Sequence, residues 1–193
     1  MKYCLNIEEL FPDMDFYDKF QAAKEAGYDY VEFWAWYGRD LEKIKAQCDK
    51  YGVTITGFKG DWDWSLCDNK TAEEFIEWTK KSIETAKFLG CDSLIVHSNS
   101  IFDEGSSNFN DVYSPQRQVA NITSTLMRVA PLLEENGVKM YVEPLNNLDH
   151  LAGMFLVNAR VTADIIRAVD SPNVKMLCDL FHMQIMHGDL PNS

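Results

Sequence analysis

The sequence predicts an α/β protein in which parallel strands alternate with helices. At five points a short apolar or β-branched run follows a glycine or a Pro-Asn turn, and one more run opens the chain. Helix-like patterns, with apolar residues three or four positions apart, fill the intervals between these runs. Alternation of this kind places the strands in a parallel sheet with helices packed on its outside.

Six strands are predicted from these runs. Glycine suits the left-handed turn that ends a helix, so each junction marks a helix end followed by a strand. The turns contain Gly27, Gly52, Gly90, Gly137 and Pro172-Asn173. The strands are expected near residues 3–7, 30–34, 53–58, 93–97, 138–143 and 174–179.

Five helices are predicted between the strands, each from an apolar stripe on one face. Thr71 is expected to cap the third helix in a capping box with Glu74, and Pro131 to interrupt the fourth. A further helix is expected to begin after the sixth strand, over 183–190. The stripes are Phe16, Phe20, Ala23 and Ala26; Leu41, Ile44 and Cys48; Phe75, Ile76, Ile83, Ala86 and Leu89; Val119, Ile122, Leu126, Val129 and Leu133; and Ala163, Ile166 and Val169.

The spacing of the strands indicates how much of a barrel the chain contains. The repeat is about 34 residues, and a closed barrel of eight such units needs roughly 250 residues or more. Two architectures remain open: a six-stranded open sheet, or a (β/α)8 barrel that lacks its last two units. We expect the second, with residues 1–193 as a single domain, because an open edge at strand six would expose backbone groups.

Composition and charge exclude several functions. The net charge is −12 and the pI is about 4.7, which argues against a nucleic-acid partner because phosphates would be repelled. The N-terminal residues show no signal-peptide core, and no apolar run approaches the length of a membrane span. The five cysteines form no CxxC pair, as is typical of reduced thiols. We therefore expect a cytoplasmic protein with no membrane partner.

Two acidic residues stand at the ends of predicted strands. Glu143 follows Tyr141-Val142, and Asp179 follows the apolar run of the sixth unit, with His182 three residues further on. In a barrel of parallel strands such positions point into a common mouth. Alone, Glu143 fits a residue that caps the next turn, and Asp179 a helix N-cap. Together with His182 they favour a divalent metal site, and oxygen ligands suit Mn²⁺ or Mg²⁺.

At these residues the sequence resembles a known family. The motif E-P-L-N at 143–146, followed by P-N-V-x-x-x-x-D-x-x-H at 172–182, is similar to the xylose isomerase-like sugar isomerases and epimerases, in particular the hydroxypyruvate isomerase and ketose 3-epimerase branches. The resemblance implies that Glu143 is a metal ligand and an acid/base catalyst, that Asp179 is a metal ligand, and that His182 lies beside the substrate. It also implies a homodimer or tetramer. In that family a His or Gln on strand seven and a second Glu on strand eight complete the site, and the chain ends before them.

Other residues at predicted strand ends are candidates for substrate binding. His97 ends the fourth strand and fits either a ligand contact or a buried core histidine. Trp34 ends the second strand and Trp62 follows the third, and both fit either a stacking surface for a sugar or subunit and core contacts. Lys59 is a candidate contact for an anionic substrate. The polar segment 103–114 fits either an active-site loop or a surface loop.

These observations predict a metal-dependent isomerase or epimerase of a small keto-sugar or hydroxy-keto acid, acting through an enediolate. A polyol dehydratase could use the same metal and carboxylates, and a truncated, non-catalytic binding module is the alternative outside enzymes. An apurinic endonuclease would need several zinc ligands and a basic DNA-binding face, which the acidic balance and four histidines disfavour.

Overall fold

The computed structural model describes residues 2–102, 105–149 and 151–188. Six strands of the described chain form one parallel sheet, and two short strands form a separate antiparallel hairpin. The sheet strands are β1 (Cys4–Asn6), β2 (Tyr30–Ala35), β3 (Thr54–Lys59), β4 (Ser93–Val96), β7 (Lys139–Val142) and β8 (Val174–Met176). The hairpin strands are β5 (Ile101–Phe102) and β6 (Gly105–Ser106).

Helices connect the sheet strands. They are α1 (Ile7–Leu10), α2 (Lys19–Glu25), α3 (Leu41–Tyr51), α4 (Ala72–Leu89), α5 (Pro115–Asn136), α6 (Ala159–Val169) and α7 (Leu180–His187), with a 3-10 turn at Asn69–Thr71 before α4. Gly52, Gly90 and Gly137 adopt the left-handed conformation at the ends of α3, α4 and α5, as predicted.

The six sheet strands are neighbours in chain order, β1-β2-β3-β4-β7-β8, and all pair in parallel. This order is that of a (β/α)-barrel wall, and it confirms the predicted fold class. Within the described residues β1 and β8 are the outer strands. That the domain lacks two further units stays a prediction.

The register of the sheet separates a core face from a second, more exposed face. One row of paired residues is 0% exposed throughout; it consists of Phe58, Leu94, Met140 and Val174. The next row is half-buried or exposed; it consists of Lys59, Ile95, Tyr141 and Lys175. Because side chains alternate along a strand, the first row packs under the helices and the second lines the inside of the barrel wall.

Several local expectations change in the structure. Thr71 precedes α4 without a side-chain cap, and its hydroxyl donates to the Asp68 carbonyl at 3.2 Å. Pro131 lies inside α5 and does not end it, since proline removes only one backbone donor and a well-buried helix tolerates that loss. The last helix begins at Leu180 and not at 183; its predicted end, at residue 190, and residues 103–104 of the polar segment lie outside the described residues. No helix in the described part of the chain combines the length and apolarity needed to cross a membrane.

Candidate metal centre

The predicted site residues share the inner face of the sheet. Side chains repeat every second residue on one face, so the inner row of Lys59, Ile95 and Tyr141 leads, two residues on, to Asp61, His97 and Glu143. The same count from Lys175 reaches Asp179 after four residues. Backbone hydrogen bonds continue past the strands: the Glu143 N–H donates to the Val96 carbonyl and the Leu177 N–H to the Val142 carbonyl, both at 3.0 Å.

Glu143, Asp179 and His182 converge at the ends of β7 and β8. One ligand atom of each lies within 4.8 Å of the other two. The Glu143 and His182 side chains are only 12% exposed and that of Asp179 is 35% exposed. Two carboxylates drawn together in a largely buried position repel each other unless a cation lies between them. This donor set therefore fits a divalent ion.

Asp179 has two structural roles. Its Oδ1 accepts a hydrogen bond from the Phe181 N–H at 2.7 Å, which makes it the N-cap of α7. Its Oδ2 lies 3.7 Å from His182 Nε2. The cap interpretation of the sequence is thus confirmed, and it leaves the second oxygen directed at the cluster.

His182, in α7, is in contact with a residue of the loop that follows β7. Asn146, which is fully buried, places its Nδ2 at 2.8 Å from His182 Nδ1. The ring therefore meets an amide on one side and Asp179 on the other. Asn146 is the last residue of the E-P-L-N motif, and no role was predicted for it from the sequence.

His97 lies between two carboxylates. Its Nδ1 is 3.1 Å from Asp61 Oδ2, and its Nε2 is 3.3 Å from Glu143 Oε2. The same Asp61 oxygen accepts a hydrogen bond from the His97 backbone N–H at 2.6 Å. Burial alone lowers the pKa of His97, but the adjacent Asp61 and Glu143 carboxylates outweigh it and raise this pKa to about 9. The imidazolium thus links Asp61 to Glu143.

Asp61 is a functional candidate that the sequence analysis missed. Its side chain is 3% exposed, and its Oδ1 lies 3.8 Å from the Lys59 ammonium. Gly60 allows this arrangement, because a Cβ there would stand 2.8 Å from the Leu94 Cβ. The signal that could have found Asp61 is its position on the inner face, two residues after Lys59. His97 and Glu143 have the same offset from Ile95 and Tyr141.

Glu32 adds a further acid to the inner face. Burial raises the pKa of Glu32; the Asn6 amide, 3.4 Å away, lowers it, and the Glu143 and Asp179 carboxylates raise it further. The negative charges of Glu143 and Asp179 therefore also act on the Glu32 carboxyl group. In the structure the hydrogen-bond partner of Glu32 is the neutral Asn6.

The two predicted aromatic contacts lie at the ends of the neighbouring strands. Trp34, near the end of β2, is 51% exposed, and its backbone N–H donates to Glu8 at 2.6 Å. Trp62, beyond β3, is 43% exposed and packs on Tyr37 and Trp78, with ring centroids 5.3 and 4.8 Å apart. The structure thus brings Glu143, Asp179, His182 and His97 together, whereas Trp34 and Trp62 belong to the adjacent rim.

The fold and this site define the class of protein. The profile described as "Xylose isomerase-like TIM barrel" matches residues 20–193. The chain therefore belongs to the xylose isomerase-like TIM barrel family, as the motifs at Glu143 and Asp179 predicted.

Similar proteins include named sugar-acid isomerases. The chain is 28% identical over 198 residues to the 2-oxo-tetronate isomerase of Haemophilus influenzae, covering 98% of this chain and 72% of that protein. It is 27% identical over 200 residues to the hydroxypyruvate isomerase of Escherichia coli, covering 100% and 74%. A crystal structure titled AP endonuclease, family 2, from Brucella melitensis superposes with a TM-score of 0.88 at 25% identity, covering 100% of this chain and 74% of that one.

Proposed function

We propose that the protein is a divalent-metal-dependent isomerase or epimerase of a small keto-sugar or hydroxy-keto acid, acting through an enediolate. The observation that carries this proposal is the convergence of Glu143, Asp179 and His182 on the inner face of a parallel sheet. Chemistry in barrels of this kind is done at that end of the strands. The names of the similar isomerases support the substrate class.

Glu143 would carry the proton transfer. Its carboxylate takes the proton from the carbon next to the substrate carbonyl, and the electron pair of the broken C–H bond becomes the enediolate. Delivery of a proton to the neighbouring carbon, with the hydroxyl proton moving from one oxygen of the enediolate to the other, gives the isomer. Delivery by a second acid from the opposite face of the same carbon gives the epimer. His97 Nε2 lies 3.3 Å from Glu143 Oε2, which occupies one of the four lone-pair sites of the carboxylate and leaves the others for the metal and the proton.

Glu143 and Asp179 would hold the metal, for which Mn²⁺ and Mg²⁺ are the best candidates because the carboxylates are hard oxygen ligands. When bound, such an ion polarises the substrate carbonyl and stabilises developing negative charge. His182 would contact the substrate, and Trp34 and Trp62 would form an aromatic rim that excludes water. His97 faces the same mouth, but both of its ring nitrogens already have carboxylate partners.

A 2-oxo acid brings its own negative charge into this acidic mouth. Besides the metal, Lys59 is a cation on the inner face; its side chain is 16% exposed and 3.8 Å from Asp61. We propose Lys59 as the partner of the substrate carboxylate, and a cytoplasmic homo-oligomer as the working form of the protein.

Metal binding tests the site directly. Calorimetric titration with Mn²⁺ is expected to show one site, weakened at least 10-fold in Glu143→Gln and in Asp179→Asn. Asp164→Asn, a charge change on the exposed face of α6, is the matched control and should leave the titration unchanged. Equal affinity in all four proteins would refute the metal centre. Metal binding without turnover of hydroxypyruvate, ketoses or polyols would favour the non-catalytic module, and dehydration of a polyol would favour the dehydratase.

A further inference from the structure

The orientation of the Asn146 side-chain amide is determined by its contacts. Its Oδ1 accepts hydrogen bonds from the backbone N–H groups of Leu148 and Asp149, at 3.2 and 3.1 Å. Only the oxygen of an amide can accept two such bonds. The Nδ2 group must therefore be the atom that faces His182, at 2.8 Å. Asn146 is 0% exposed, so water does not compete for this contact.

This contact selects one form of the His182 ring. An amide NH₂ group donates and cannot accept, so His182 Nδ1 must present a lone pair. In a neutral imidazole the proton is then on Nε2. Nε2 is the atom that faces Asp179, at 3.7 Å from Oδ2. The structure thus presents an N–H group to the site.

The tautomer of His182 distinguishes two roles, metal ligand and substrate contact, that the distances alone do not. His182 lies close enough to Glu143 and Asp179 to share a metal ion. A histidine ligand, however, coordinates through a lone pair and usually donates its other N–H to a carboxylate or carbonyl. In this structure His182 Nδ1 faces the Asn146 NH₂ group, which is a donor and not an acceptor. His182 therefore has the opposite hydrogen-bond arrangement to that of a metal-bound histidine.

We propose that Asn146 is a positioning residue that fixes His182 as a hydrogen-bond donor to a substrate oxygen and withholds it from the metal. The receiving atom is a carbonyl or hydroxyl oxygen that gains negative charge as the enediolate forms, so this part rests on the proposed function. The tautomer itself does not depend on that function. Glu143 and Asp179 are then the two ligands that the described residues supply.

The test uses Asn146→Asp, which is nearly isosteric. The carboxylate can still accept from Leu148 and Asp149, but toward His182 it replaces a donor with an acceptor. The His182 proton is expected to move to Nδ1, which frees the Nε2 lone pair for the metal. Nitrogen-15 NMR of the histidine rings in the metal-free protein distinguishes the two tautomers, with His182→Gln identifying the signal.

The wild-type spectrum decides the proposal even where the variant fails to fold. A proton on Nε2 supports it, and a proton on Nδ1 overturns it. In folded Asn146→Asp we expect the opposite tautomer, a kcat lowered about 10- to 100-fold with a smaller change in KM, and tighter Mn²⁺ binding. Asn147→Asp, with the same charge one residue along, should keep the wild-type tautomer and kcat. Loss of kcat in both Asn146→Asp and Asn147→Asp would overturn the role of Asn146. A wild-type protein that is inactive but has the Nε2–H tautomer would refute only the proposed function.

Discussion

Replacing Asp61 with alanine tests whether the contacts that link Asp61, His97 and Glu143 stabilise the folded protein. Asp61 is 3% exposed, and its Oδ2 accepts from the His97 backbone at 2.6 Å and faces the ring Nδ1 at 3.1 Å. The substitution leaves a buried N–H group without its acceptor and removes one of the two carboxylates that flank the imidazolium. His97 is itself only 8% exposed, so water has little access to replace them.

The magnitude follows from these two losses. An unpaired buried donor costs about 1–3 kcal/mol, and breaking a buried charged pair from one side costs about 3–5 kcal/mol. The two losses overlap, so we expect Asp61→Ala to lower the free energy of unfolding by about 3–5 kcal/mol, a large part of the total for a typical domain. Asp61→Asn keeps an acceptor oxygen and should cost about half as much.

Urea unfolding followed by circular dichroism, in EDTA at pH 7, measures these differences. Asp63→Ala is the matched control, because Asp63 is an exposed acid two residues away and its loss should change stability by less than about 0.5 kcal/mol. If Asp61→Ala unfolds within about 1 kcal/mol of the wild type, the chain of contacts contributes little and the reasoning fails.

The pH dependence supplies an independent check on the same contacts. Burial lowers the pKa of His97, but the flanking carboxylates raise it to about 9 from its ordinary 6.5. A raised folded-state pKa adds stability that is fully present below pH 6.5 and is lost as the pH rises through 9. The corresponding free energy is roughly 3 kcal/mol. Glu143 still flanks the ring in Asp61→Ala and retains part of this effect. The wild-type protein should therefore lose more stability than Asp61→Ala between pH 6.5 and 10, and parallel curves would contradict the assignment.

Three further predictions concern the catalytic carboxylate, the thiols and a helix. Glu143→Gln should keep the far-UV spectrum and lower turnover by at least 10²-fold in a coupled isomerase assay; most of the activity surviving would end its acid/base role. Cys4 and Cys178 are exposed, whereas burial raises the pKa of Cys67 and of Cys91 to about 12; an aromatic disulfide reagent at pH 8 should label the two exposed thiols first and the buried pair only after unfolding, and equal rates would refute this. Pro131→Ala should stabilise α5 by about 1 kcal/mol by restoring a helix donor, and thermal melting that shows a lower Tm would contradict it.

The repeating pattern of the sequence was sufficient to predict the fold. Glycine at a left-handed helix end is a local requirement that any chain must meet, so Gly52, Gly90 and Gly137 marked the helix-to-strand junctions. The ends of parallel strands meet by topology, so Glu143 and Asp179 could be placed together before any coordinates. These predictions succeeded because they depended on the order of the elements and not on side-chain geometry.

The rest of the site depends on contacts between distant parts of the chain. Asp61 and His97 are 36 residues apart, as are Asn146 and His182, and no local pattern links the members of either pair. The sequence around Thr71 fitted a capping box, but in the structure the Thr71 hydroxyl donates to the Asp68 carbonyl and caps no helix N–H group. The hairpin of β5 and β6 could not be foreseen either, because each strand has only two residues.

Solvent deuterium uptake, followed by NMR, tests the central claim most directly. The protein would be incubated in D₂O with Mn²⁺ and, in turn, hydroxypyruvate, ketoses and polyols, with Glu143→Gln as the control. We expect deuterium on the carbon next to the carbonyl of a keto acid or ketose, dependent on the metal and lost in Glu143→Gln. Absence of uptake from every compound, with Mn²⁺ shown by calorimetry to be bound, would contradict enediolate chemistry at this site.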